Sequence, residues 1–98
     1  MLIRIVKMSF HKQHIAAFLE NFELNKQKIR NVAGNRLLEL YQDKNNECLF
    51  FTYSHWDSQD DLDNYRKSVL FGQVWRYTKT LFDELPQAWS VDKLVSLG

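Results

Sequence analysis

The 98-residue chain has one cysteine, one proline and three glycines. The lone cysteine, Cys48, excludes an internal disulfide, and its expected place as a buried thiol within an apolar strand fits a reducing compartment. There is no Gly-rich phosphate loop, no G-x-S-x-G nucleophile elbow and no H-E-x-x-H metal motif. Neither sign of charge prevails. Thirteen Lys and Arg stand against twelve Asp and Glu, for a formal charge of +1, so a polyanion or a membrane surface is not an expected partner. No apolar run is long enough to cross a bilayer, and no charged n-region precedes one, so the expected place is the cytoplasm. Repeats, low-complexity stretches and linkers are absent, and residues 1–98 read as one domain. A chain of this size buries only roughly 60–65% of its unfolded surface, so a second copy would supply missing burial.

What is present is aromatic and concentrated in Leu49 to Phe82. Glu47 to Trp56 reads as a strand rich in aromatic and β-branched residues, apolar at both parities. A strand wetted on one face would alternate; this one is expected to be covered on both. Asp57 or Ser58 can cap the helix that follows, and Ser58 with Asp61 has the spacing of a capping box. Asp60 and Asp61 suit the positive end of that helix, Arg66 and Lys67 its negative end. Ser68 can cap a second helix with an inner stripe of Phe71, Val74 or Trp75, Thr78, Leu81 and Phe82, stopped by Pro86.

The rest of the chain completes the pattern. Leu2 to Phe10 reads as a strand with Arg4, Val6, Met8 and Phe10 on one face and Ile3 and Ile5 on the other. His11 to about Lys28 reads as a helix, with Ile29 and Val32 in a short extension and Gly34 as a left-handed stop. Arg36 to Gln42 is a strand, Asp43 to Asn46 a hairpin turn, and Ala88 to Leu97 a last strand. Strand, helix, strand, strand, helix, strand is the split βαβ order. The predicted class is α+β: a ferredoxin-like βαββαβ domain with an antiparallel sheet, helices on one face and a bare face too apolar for water.

Chemistry-bearing residues are few. His11 and His14, at i, i+3, could offer two imidazoles to a metal, but no nearby ligand completes a set, and they read as solvated first-turn residues. His55 can act as a base or sit as a rim histidine. Trp56, Tyr65, Trp75 and Tyr77 can line a flat pocket for a planar aromatic ligand, or form ordinary core. Arg4 and Arg76 can each stabilise an oxyanion or snorkel to water; periodicity favours the surface for Arg76. The same topology serves RNA-binding RRM domains, but their aromatic signature is missing from CLFFTYSHW, so no nucleic acid is expected.

The run from the strand through Trp56-Asp57-Ser58, then Leu62, Tyr65, Ser68, Phe71 and Trp75, resembles the antibiotic biosynthesis monooxygenase (ABM) domain family. The resemblance implies a homodimeric α+β barrel in which two sheets pack face to face. It also implies that an active member of anthrone type needs no metal, flavin or haem. In such members a Trp of a W-x-S motif, an Asn four residues before it and an Arg on the later helix bind substrate and assist its deprotonation. The resulting anion gives an electron to oxygen. Trp56 and Arg76 match the Trp and the Arg; Thr52 stands where the Asn would be. The haem-degrading branch uses an Asn, a Trp and a His at positions that here hold Val6, Tyr65 and Trp75.

The resulting expectation is a cofactor-free monooxygenase of a small, planar, electron-rich aromatic of quinol or anthrone type, or else a non-catalytic ligand-binding or interaction module on the same barrel. Arg76, His55 and Tyr53 are the candidate catalytic residues; Trp56, Thr52, Tyr65 and Trp75 are the candidate substrate-binding ones.

Overall fold

Ile3, Ile5 and Val6 favour extended backbone, and the chain enters its first strand, β1 (Leu2–Ser9), at the second residue. The structure is a computed structural model and describes residues 1–98. A 3-10 turn at Lys12–His14 leads into helix α1 (Ile15–Arg30). Strands β2 (Asn35–Gln42) and β3 (Leu49–Trp56), helices α2 (Gln59–Arg66) and α3 (Val69–Lys79), and strand β4 (Gln87–Asp92) follow. The strands form one antiparallel sheet in the order β2-β3-β1-β4. This is the α+β, ferredoxin-like arrangement expected from the sequence.

The helix caps act as their sequence implies. Ser58 Oγ accepts from the Asp61 N–H at 3.1 Å and donates to the Asp61 carboxylate at 2.9 Å. Ser68 Oγ accepts from the Phe71 N–H at 3.1 Å and donates to the Tyr65 carbonyl at 2.6 Å, welding α2 to α3. At the end of α1, Gly34 takes φ +87°, the left-handed conformation that turns the chain into β2. A Cβ there would run into the Asp61 side chain, the same group that holds the α2 cap. The left-handed region costs an L-residue roughly 1–2 kcal/mol before any clash. Gly34→Ala is therefore expected to destabilise the fold by more than about 1 kcal/mol, read as a lower urea midpoint at constant slope. An unchanged midpoint would show that neither the turn nor the cap is constrained as described.

The first helix, expected at His11 to about Lys28, is a 3-10 turn followed by α1 at Ile15–Arg30, and β1 ends and β2 begins one residue earlier than expected. Three further boundaries differ from the sequence reading for local reasons. The third strand starts at Leu49, not Glu47. Asn46 captures the chain first, its side chain accepting from the Cys48 N–H at 3.0 Å and its carbonyl from the Leu49 N–H at 3.1 Å. Cys48 thus lies in the turn and not in the strand. Helix α3 ends at Lys79, seven residues before Pro86. Leu81 and Phe82 leave the helical path to join the core, where the Leu81 carbonyl accepts from the His11 N–H and Phe82 bridges to Phe10. The last strand stops at Asp92 instead of Leu97. Its partner β1 begins at Leu2, which is opposite Asp92, so the ladder ends at that pair.

Period-two alternation sorts the sheet into two faces. Phe50, Thr52, Ser54 and Trp56 of β3 stand opposite Met8, Val6, Arg4 and Leu2 of β1. Phe10, fully buried, stacks on Phe18 of α1 at 4.2 Å and meets Phe50 edge-on at 5.7 Å. Met8, Phe10, Phe18, Phe50 and Leu81 make the core on the helix side. The other face carries Ile3, Ile5, Phe51, Tyr53 and Trp89, and no helix covers it. Only 12 of the 98 residues are buried, so much of the apolar complement is still in contact with water.

Candidate functional site

Between the helix side of the sheet and the three helices lies a cavity of about 260 Å³. Alternation on β3 presents Thr52, Ser54 and Trp56 to it. On α3 the i, i+3, i+4, i+7 spacing presents Phe71, Val74, Trp75 and Thr78. Tyr65 and Arg66 come from α2, and Arg4, Val6 and Met8 from β1.

One wall is a continuous aromatic arc. Trp56 stacks on Tyr65 at 5.1 Å and 24°, Tyr65 meets Phe71 edge-on at 5.2 Å, and Phe71 stacks on Trp75 at 5.8 Å and 14°. Pairs of this kind are worth about 0.5–1.5 kcal/mol each beyond their buried area. Trp56 is 1% exposed, and its indole N–H donates to Ser54 Oγ at 3.0 Å within the buried interior. Its one polar atom is thus satisfied within the protein. Burial pushes the Tyr65 phenol up to about 12, so at neutral pH it is a neutral hydroxyl.

Two guanidinium groups give the cavity its only charges. Arg4 is half-buried on β1 and donates to Ser90 Oγ at 3.0 Å. Burial lowers its pKa, as does the neighbouring Arg66; Asp63 acts the other way. Asp63 itself accepts from the Gln59 amide at 2.9 Å, and neither arginine forms a salt bridge. No Asp, Glu, His, Lys or Cys lines the cavity.

The sequence candidates therefore fall into two groups. Trp56, Thr52, Tyr65 and Trp75 come together on the cavity wall. Tyr53 and His55 lie on the same strand at the other parity, their rings 5.1 Å apart on the uncovered face. The His55 pKa is lowered by burial and by Lys93 while Glu39 opposes, and its Nε2 is buried without a partner. Arg76 follows Trp75 but is exposed and does not line the cavity. His11 and His14 meet edge-on at 5.6 Å, with no third ligand to make a metal-binding set. Ser54 and Arg66 were not singled out for the site from the sequence. Parity with Trp56 could have found Ser54. Arg66 reads only as a favourable charge at a helix end until the fold sets α2 beside Arg4.

Fold and cavity together define a ferredoxin-like α+β domain that encloses an aromatic chamber between its sheet and its helices. The chain belongs to the antibiotic biosynthesis monooxygenase family, whose sequence profile matches residues 1–76. Among solved structures it is similar to one described as an antibiotic biosynthesis monooxygenase, at 16% identity and a TM-score of 0.91, with 97% of this chain and 100% of that one covered. A candidate antibiotic biosynthesis monooxygenase from Nitrosomonas europaea aligns at 20% identity and a TM-score of 0.86, over 97% of this chain and 100% of that one. The protein Rv0793 from Mycobacterium tuberculosis aligns at 14% identity and a TM-score of 0.89, over 99% and 98%. At these identities the likeness is one of fold. A search of curated proteins finds no match.

Proposed function

We propose that this protein is a cofactor-independent monooxygenase acting on a small, planar, electron-rich aromatic of quinol or anthrone type, and that it works as a cytoplasmic homodimer. The observation that carries the reading is the aromatic arc Trp56–Tyr65–Phe71–Trp75 around an apolar chamber in a chain of this family. A dry apolar cavity of about 150 Å³ accepts benzene. A chamber of about 260 Å³ has room for a larger planar molecule, such as two fused rings. In the proposed reaction the ionised aromatic passes one electron to O₂. The radical pair combines to a hydroperoxide, and loss of water leaves a carbonyl: a CH₂ group and O₂ become C=O and H₂O. The chain's part is to hold the ring flat against Trp56, keep bulk water out and stabilise negative charge on the substrate oxygen. Such stabilisation is typically worth about 3–4 kcal/mol in an enclosed site.

One observation favours a second reading, a ligand-binding module without turnover. The cavity has no side chain of ordinary general-base type, and Thr52 occupies the place where the family's oxygenases have Asn. Oxygen uptake by metal-stripped protein over a panel of quinols and anthrones separates the two. Uptake with an oxygenated product is expected for at least one panel member, and Val74→Trp, which fills the chamber from α3, should cut it at least tenfold with unchanged far-UV circular dichroism. Tight binding of panel members with no uptake would favour the binding module. Uptake indifferent to Val74→Trp would place the reaction elsewhere.

A further inference from the structure

The chamber holds charge to stabilise an anion and no group suited to make one. Arg4 and Arg66 line it, from β1 and from the end of α2. No acidic side chain lines it and neither arginine has a salt-bridge partner, although the chain has twelve carboxylates to thirteen basic groups. The one nearby carboxylate, Asp63, is engaged by Gln59. From β2, β3, β4, α1 and α3 no titratable side chain reaches the lining; α2 adds only Tyr65, held neutral. Arg4 donates to Ser90 through one guanidinium nitrogen, Nη1, leaving donors free. Two like charges brought together beside an apolar chamber repel each other, and a bound anion removes that repulsion. Guanidinium donors also suit planar oxyanions in their geometry.

We propose that the chamber takes its aromatic ligand as a preformed anion, a phenolate or an aromatic carboxylate, with the negative oxygen held by Arg4 and Arg66 and the ring against Trp56 and Tyr65. This rests on the cavity being the ligand site, as argued above, and narrows the ligand to acidic aromatics. It also removes the need for a protein base, because the ligand arrives ionised and the two cations hold it in that form.

The test uses a matched pair of probes, 2-naphthoate and 2-naphthamide, with binding followed by quenching of tryptophan fluorescence at pH 7.5 and low salt. The unaltered protein should bind the carboxylate at least about tenfold tighter than the amide, the size expected for one charge-assisted contact. Arg66→Gln, at an exposed position outside the core, and Arg4→Gln should each shrink that preference severalfold while leaving naphthamide binding and the far-UV circular dichroism unchanged. A spectroscopic arm uses 4-nitrophenol, whose absorbance separates phenol from phenolate. Its apparent pKa should fall on binding and recover in Arg66→Gln. Equal affinity for the two naphthalene probes, or an unshifted nitrophenol, overturns the anion assignment and leaves the cavity as a ligand site. Binding of neither naphthalene probe overturns the cavity reading and this inference with it. A preference that survives both substitutions and disappears in Arg76→Gln would move the anion to the outer side of α3 and overturn the assignment.

Discussion

Replacing Trp56 by alanine is expected to lower the melting temperature by roughly 15–30 °C, and to do so whether or not a ligand is present. Trp56 is among the largest fully buried side chains, at 1% exposure. Truncating such a residue costs about 3–5 kcal/mol, and each kcal/mol is worth about 4–8 °C in a domain of this size. Two further losses add to the cavity left behind. Tyr65 loses its stacking partner, and Ser54 Oγ, inside the sheet, loses the indole N–H. Trp56→Phe keeps a ring against Tyr65 and loses the hydrogen bond and one ring of the indole, a smaller cavity than alanine leaves. Its cost should be nearer the 1–3 kcal/mol of an unsatisfied buried hydroxyl. Differential scanning calorimetry of the two variants at one protein concentration checks the ordering. A shift below about 5 °C for Trp56→Ala would mean that the arc is not part of the core. The same numbers decide which variants probe function. Loss of activity in Trp56→Ala would report unfolding as readily as a lost wall. Val74→Trp and Arg66→Gln leave the arc and the Trp56–Ser54 bond in place.

The element order was legible because each element is marked locally. Ser58 and Ser68 cap their helices as placed, and Gly34 turns the chain as its freedom at positive φ suggests. What could not be read was which side of a two-sided strand meets the helices. Both parities of β3 are apolar, so the sequence offers no reason to place Trp56 inside and His55 outside. The pairing of the uncapped face settles it: Tyr53 and His55 share that face with Ile5 and Ile3. The cationic pair was hidden for a different reason. Arg4 and Arg66 are separated by most of the chain and converge only when α2 folds over the open end of β1. The over-long last strand shows the same limit. Leu94, Val95 and Leu97 look strand-like, but strand length is set by the partner, and the ladder with β1 ends at the Leu2–Asp92 pair.

The uncovered face yields the second large effect. In the homodimer proposed above, Ile5→Glu is expected to leave a protomer sedimenting near 11.8 kDa. Ile5 lies at the middle of the sheet, with Tyr53 on one neighbouring strand and Trp89 on the other. Trp89 is 44% exposed and Val91 38%, values that a solitary domain has little reason to keep for such side chains on the flat of a sheet. The proposed dimer would pack this face isologously, so each substitution would be met twice across the two-fold axis. A carboxylate stays hydrated in the separate protomer and is stripped of water in the dimer without a partner. That difference costs about 3–5 kcal/mol for each carboxylate, and with two per dimer raises the dissociation constant by roughly 10⁴–10⁷. The fold of the protomer should survive, because the helix-side core of Met8, Phe10, Phe18, Phe50 and Leu81 does not include this position. Sedimentation equilibrium at micromolar concentration, with circular dichroism on the same samples, reads both quantities. The unaltered protein should run at about twice the chain mass, with a melting temperature that rises with concentration. An unaltered protein that stays folded at single-chain mass would sink the dimer, and an Ile5→Glu variant that keeps the double mass would move the interface off this face.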